Sequence, residues 1–136
     1  MRIEVEYPHP PERVWRALTE PAALREWLME TDFEPELGRR FEFRDPNARG
    51  WGGVVDCEIV ELEPQRRLAY TWQGDPQYPQ TLVRFTLEPV DAGTRLVLEH
   101  TGFTGARGKF LWLMMRLGWG RKLRKDVPEL LGRHAA

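Results

Sequence analysis

The chain predicts an α+β fold: an antiparallel sheet, wet on one face, with a long C-terminal helix laid across the other. Three features carry that prediction. Residues 38–100 alternate for most of their length between apolar and charged positions, the period of a half-buried strand. Short turns rich in Pro, Gly and Asp divide that stretch into about five strands. From about residue 106 to 132 the apolar residues recur at helical spacing instead.

Element by element, Arg2-Ile3-Glu4-Val5-Glu6-Tyr7 alternates strictly, so Ile3, Val5 and Tyr7 face a core. His9-Pro10-Pro11 ends this strand, because proline cannot donate to a ladder. Pro11 and Glu12 suit the first turn of a helix carrying Val14, Trp15 and Leu18 on one side. Thr19-Glu20-Pro21 interrupts it and offers a cap to a second short helix bearing Leu24, Trp27 and Leu28. Asp32 to Leu37 reads as a loop.

Strands follow. Phe41 and Phe43 alternate with Arg40, Glu42 and Arg44, and Asp45-Pro46-Asn47 with Gly50-Trp51-Gly52-Gly53 marks a turn. Val55, Cys57 and Ile59 share a face; the phase slips at Val60 and Leu62, which predicts a bulge. Leu68, Tyr70 and Trp72 form the next inward row, then Val83, Phe85 and Leu87. Asp91-Ala92-Gly93 signals a hairpin into Leu96, Leu98 and His100. A sheet with one apolar face needs a cover, and the terminal helix is the element available.

In that helix Trp112, Met115, Trp119, Leu123, Val127 and Leu130 form one stripe. Phe110, Leu113, Met114 and Leu117 add a second apolar face to the first half, which predicts burial there on nearly every side and argues against a membrane-surface amphipath. Pro128 removes the hydrogen bond to the Arg124 carbonyl and predicts a kink. Arg121, Lys122, Arg124 and Lys125 form a solvated back.

Composition narrows the function classes. The chain has 136 residues, 41% hydrophobic and 30% charged, as expected of one soluble globular domain spanning 1–136. A net charge of −1 argues against nucleic-acid binding, which needs excess positive charge. The charge is divided: eight basic residues against Asp126 and Glu129 give +6 from Phe103 onward, leaving −7 for the first 102. A single cysteine, Cys57, excludes an intramolecular disulfide and a structural zinc cluster. The N-terminus is no signal peptide, and the longest apolar run, Phe110 to Met115, is far short of the roughly 20 residues of a membrane span. A cytoplasmic protein is expected.

Five segments together resemble a known family: VWRALTEPAALREWL (14–28), GRRFEF (38–43), VVDCEIVELEPQRRLAYTW (54–72), GTRLVLEHTGF (93–103) and GWGRKL (118–123). Their order and spacing are similar to those of the homologues of the activator of the 90-kDa heat-shock protein ATPase, in the START-like (SRPBCC) superfamily that also holds polyketide cyclases. The resemblance implies the helix-grip fold, six antiparallel strands around a long C-terminal helix, with a cavity between them. Chaperone-activating members carry an additional N-terminal domain; this chain opens directly on the first strand, so co-chaperone activity is not expected.

The residues hold no recognisable catalytic constellation, and no metal or cofactor is expected: His9, His100 and His134 are dispersed, and no nucleophile elbow or phosphate loop is present. Cys57 reads as a buried inert thiol. His100 points inward, which leaves three readings: a hydrogen-bonded core histidine, a ligand contact, or the general acid or base of a cyclase-like enzyme. Tyr70 offers a hydroxyl to the same space. The inner face and its lids supply the candidate cavity residues Trp27, Phe41, Phe43, Tyr70, Trp72, Phe85, Leu98, His100, Trp112, Met115 and Trp119, suited to a small apolar or aromatic molecule. An empty apolar void of about 300 Å³ would cost on the order of 7 kcal/mol, so the aromatics must fill the interior or a ligand or water must. The alternative is a protein-partner surface made of Arg121, Lys122, Arg124 and Lys125.

Overall fold

The computed structural model describes residues 1–48 and 51–133. Gly50 of the turn and His134 lie outside the described residues. Strand β1 (Arg2–Tyr7) is followed by helices α1 (Pro11–Thr19) and α2 (Pro21–Trp27), then β2 (Glu30–Thr31), β3 (Arg40–Arg44), β4 (Val54–Glu63), β5 (Arg67–Trp72), β6 (Thr81–Val90) and β7 (Gly93–Thr101). Helix α3 (Gly105–Arg121) passes through a π-helical stretch (Lys122–Asp126) into α4 (Val127–Arg133). The strands form one antiparallel sheet in the order β1-β7-β6-β5-β4-β3-β2.

Seven strands are present where six were expected. The extra one is the two-residue edge strand β2, paired with Arg44 and Phe43 of β3. Thr31 secures it: its hydroxyl donates to the Glu42 carbonyl at 2.7 Å and accepts from the Phe33 amide at 3.1 Å. Asp32 adds a bond from the Glu42 amide at 2.9 Å. These side-chain bonds leave no periodicity in sequence.

The predicted inward rows face one core. Phe41, Phe43, Val55, Cys57, Ile59, Leu68, Tyr70, Val83, Phe85, Leu87, Leu96, Leu98 and His100 are all buried, and the register of β4 on β5 shifts between Ile59 and Glu61, at the expected bulge. Rings meet edge to face, Phe33 on Phe41 at 4.9 Å, Phe41 on Phe43 at 5.3 Å and on Tyr70 at 5.2 Å. Such pairs add about 0.5–1.5 kcal/mol each beyond area burial.

The two small helices close one end. Val14, Ala17 and Leu18 of α1 and Leu24 and Trp27 of α2 are buried. The Trp27 indole donates to the Ala17 carbonyl at 2.7 Å, filling one of the acceptors left free at the end of α1. Thr19 does not cap α2; its hydroxyl turns back to the Trp15 carbonyl at 2.8 Å.

The terminal helix departs from expectation at two places. Pro128 follows a π-helical change of register that the residue spacing did not show. The Val127 amide reaches back five residues to Lys122, so it misses the Leu123 carbonyl, and Pro128 has no amide to supply the next π-type bond. The orphaned Leu123 carbonyl accepts instead from the buried Tyr7 hydroxyl of β1 at 2.5 Å. The second departure concerns α3, where only Gly108 and Trp119 are buried along the whole helix. Phe110, Leu113, Met114 and Leu117 are exposed, because a single helix on a single sheet is covered on one side only.

Candidate functional site

Trp119 is the centre of the sheet–helix interface. Its ring lies 5.7 Å from Trp72, 5.9 Å from Phe85, 6.2 Å from His100 and 6.4 Å from Trp27, so α2, β5, β6 and β7 all meet at one side chain of α3. Its indole N–H donates to His100 Nδ1 at 2.9 Å. An indole nitrogen only donates, so Nδ1 is unprotonated and the ring proton sits on Nε2. That proton faces Thr81 Oγ1 at 2.7 Å, and the Thr81 hydroxyl in turn donates to the Trp72 carbonyl at 3.3 Å. Burial, reinforced by the nearby Met1 ammonium, pushes the His100 pKa down to about 3. His100 is thus a buried residue with both ring nitrogens engaged, by the side chains of Trp119 and Thr81.

On one side of this network the interior does not close. A cavity of about 470 Å³ lies between the end of α2 (Leu28, Met29), strands β4 and β5 (Val55, Trp72), Trp51, the 74–79 loop and α3 (Leu111, Met115, Gly118, Trp119). Phe110 and Met114, each about half exposed, border it. The loop is held as a wall: Gln73 Nε2 donates to the carbonyls of Asp75 at 3.3 Å and Tyr78 at 3.0 Å, and the Tyr78 ring stacks on Phe110 at 6.5 Å. The lining is mostly apolar. Its charged members are Asp75, engaged by the Gln77 amide at 2.9 Å, and half-buried Lys122, whose Nζ donates to the Trp27 carbonyl at 3.4 Å.

Of the eleven cavity residues expected from sequence, Trp72, Met115 and Trp119 line this space. The others lie elsewhere. Phe41, Phe43, Tyr70, Phe85 and Leu98 fill the deep end of the interior with one another's rings and chains; Trp27 and His100 back Trp119. Trp112 is half-buried two turns before Trp119, outside the cavity lining, with Arg116 over its ring at 5.5 Å. The filled deep end follows from ring volume: Phe41, Phe43, Tyr70 and Phe85 pack ring against ring at 5.2–6.2 Å and leave no room between them. Cys57 is buried and its thiol is raised by burial, with Asp56 and Asp32 adding to the effect. Of the basic back, Arg121, Arg124 and Lys125 are exposed, whereas Lys122 turns to the cavity.

Sequence reasoning missed Trp51, Met29 and the loop residues Tyr78 and Pro79. Trp51 had a signal: an indole inside a glycine-rich turn has no strand face to bury it and needs another partner. Among the described residues no group of His, Cys, Asp or Glu is placed to hold a metal, and no helix is long and apolar enough to cross a membrane.

Comparison with known proteins bears on the fold and the family. Protein MLL2253 from Mesorhizobium loti is 38% identical, with a TM-score of 0.87 over 98% of this chain and 97% of that one. CalU16 from Micromonospora echinospora is 25% identical, TM-score 0.73, covering 96% of this chain and 70% of that one. DynU16, from the dynemicin biosynthetic locus, shares the fold at 24% identity and a TM-score of 0.74, across 99% of this chain and 46% of its own length. Nothing among the curated proteins matches. The profile of one family, described as activator of Hsp90 ATPase homolog 1-like protein, matches residues 8–130. With that match over nearly the whole chain, the protein belongs to the activator of Hsp90 ATPase homolog 1-like family.

Proposed function

We propose that this chain is a single ligand-binding domain of the cytoplasm that takes up a small apolar or amphipathic molecule between its sheet and its terminal helix. The observation that carries the reading is the cavity of about 470 Å³, apolar in most of its lining and within the size range of small-molecule sites. Trp72, Met115 and Trp119 make the inner wall, and Trp51 and Met29 close the sides. The thioethers of Met29, Met114 and Met115 are flexible and polarisable, which suits a ligand of variable shape. Cyclisation or other turnover has no support from His100, whose nitrogens are both engaged.

Native mass spectrometry on freshly purified protein tests the proposal, together with a titration by an apolar fluorescent probe. Three tryptophans in the wall make their own emission the second readout. A reproducible adduct of defined mass, or a saturable change in tryptophan emission at one probe per chain, is expected. A bare mass together with no response to the probe overturns the reading.

A further inference from the structure

The outer side of α3 carries residues that neither the core nor the inner wall accounts for. Phe110, Leu113, Met114 and Leu117 are 55%, 53%, 54% and 70% exposed, and they are four of the six large apolar side chains exposed among the described residues. Their spacing of 3, 4 and 7 places them in one stripe about 100° wide at 3.6 residues per turn. Arg107 flanks one edge of the stripe, Lys109 and Arg116 flank the other, and Arg121 continues its line. Helix α3 contains no Asp or Glu. Among the described residues none of the four cations has an ion pair; Arg107 donates to the Gln77 carbonyl at 3.5 Å and Arg116 lies over Trp112.

The charge pattern selects the occupant. Stripe-on-stripe pairing of two copies would bring two sets of four cations together without a carboxylate on either helix, which opposes association. An apolar stripe edged by cations on both sides has the form of a helix that lies in the boundary of an anionic bilayer, its apolar side chains among acyl chains and its cations at the head groups. We infer that α3 is a docking face for an anionic lipid surface, with Phe110, Leu113, Met114 and Leu117 inserted and Arg107, Lys109, Arg116 and Arg121 at the phosphates. The acidic first 102 residues are repelled by the same surface, so attraction and repulsion orient the molecule together. Phe110 and Met114 border the cavity as well, so docking turns its mouth toward the bilayer. The inference stands on the exposed stripe, whether or not the cavity takes a ligand.

The test is sedimentation of the full chain with phosphatidylcholine vesicles and with vesicles of equal parts phosphatidylcholine and phosphatidylglycerol. Binding to the anionic vesicles, weakened by salt, and about tenfold weaker binding to the neutral ones is expected. Leu113→Asp with Leu117→Asp should abolish it while leaving the thermal unfolding midpoint in place, since both side chains are exposed and outside the cavity wall. Arg116→Glu with Arg121→Glu should weaken it and flatten the salt dependence. No binding to either vesicle, equal binding to both, or an unchanged double-Asp variant overturns the inference. So does a dimer in light scattering that the double-Asp variant converts to monomer, because the stripe is then a self-association face.

Discussion

Protonating His100 would set a new N–H against the indole N–H of Trp119, inside a core where no buried carboxylate is found among the described residues. Its pKa, lowered to about 3 by burial and by the Met1 ammonium, expresses that cost. The unfolded chain takes up this proton near pH 6.5, the folded chain only near pH 3. Between those values the unfolded state binds more protons, so stability is lost as pH falls through that window. The slope approaches about 1.4 kcal/mol per pH unit, or about 2 kcal/mol between pH 7 and 5 from this group. Urea midpoints at the two pH values measure the loss. The His100 ring-carbon proton resonance should stay flat from pH 8 to 5; a titration near 6.5 would contradict the network.

At the scale of elements, the joint between β1 and the terminal helix is the place where local chemistry holds long-range structure. The Tyr7 hydroxyl fills the Leu123 carbonyl that the π-helical stretch and Pro128 leave unpaired. Tyr7→Phe keeps the ring and removes that donor. It should cost about 1–3 kcal/mol, seen as a lower denaturant midpoint with an unchanged m-value. The neighbouring hairpin offers a second test. Gly93 has φ 153°, and a Cβ there would come within 2.0 Å of the Tyr7 carbonyl oxygen. Gly93→Ala should therefore destabilise by about 2 kcal/mol or more, because the obstructing atoms are backbone and cannot swing aside. Thermal unfolding against the wild type checks it.

The whole molecule balances a filled interior against an open one. Aromatic rings of β3, β5 and β6 close the deep end, and the cavity remains where α3, the 74–79 loop and Trp51 stand apart. Gly118 faces that space, and a Cβ added there meets nothing within 4 Å. Gly118→Leu should then separate stability from function. Removing a helix-interior glycine gains about 0.5–1 kcal/mol, while the new side chain occupies part of the cavity and displaces the probe. A higher unfolding midpoint with lost probe binding is the expected pair of results; retained binding would place the ligand elsewhere.

Sequence by itself determined the inward rows of the strands, the bulge near Val60, the turns and the long C-terminal helix, because alternation and helical spacing are local consequences of backbone geometry. It also determined the aromatic character of the interior, and with it that any large void would be costly. Tertiary structure alone decided which aromatics fill space and which border it. Phe41 and Trp72 stand on equivalent inward rows, yet one is locked between Phe33 and Tyr70 and the other lines the cavity. It likewise decided that the stripe from Phe110 to Leu117 faces outward, since an apolar run shows that a helix has two apolar sides but not how many partners arrive to cover them. The contribution of Trp51, Tyr78 and Met29 depends on distances between segments remote in the chain. Periodicity carries no information about those distances; the packing of rings and the pinning of loops set them.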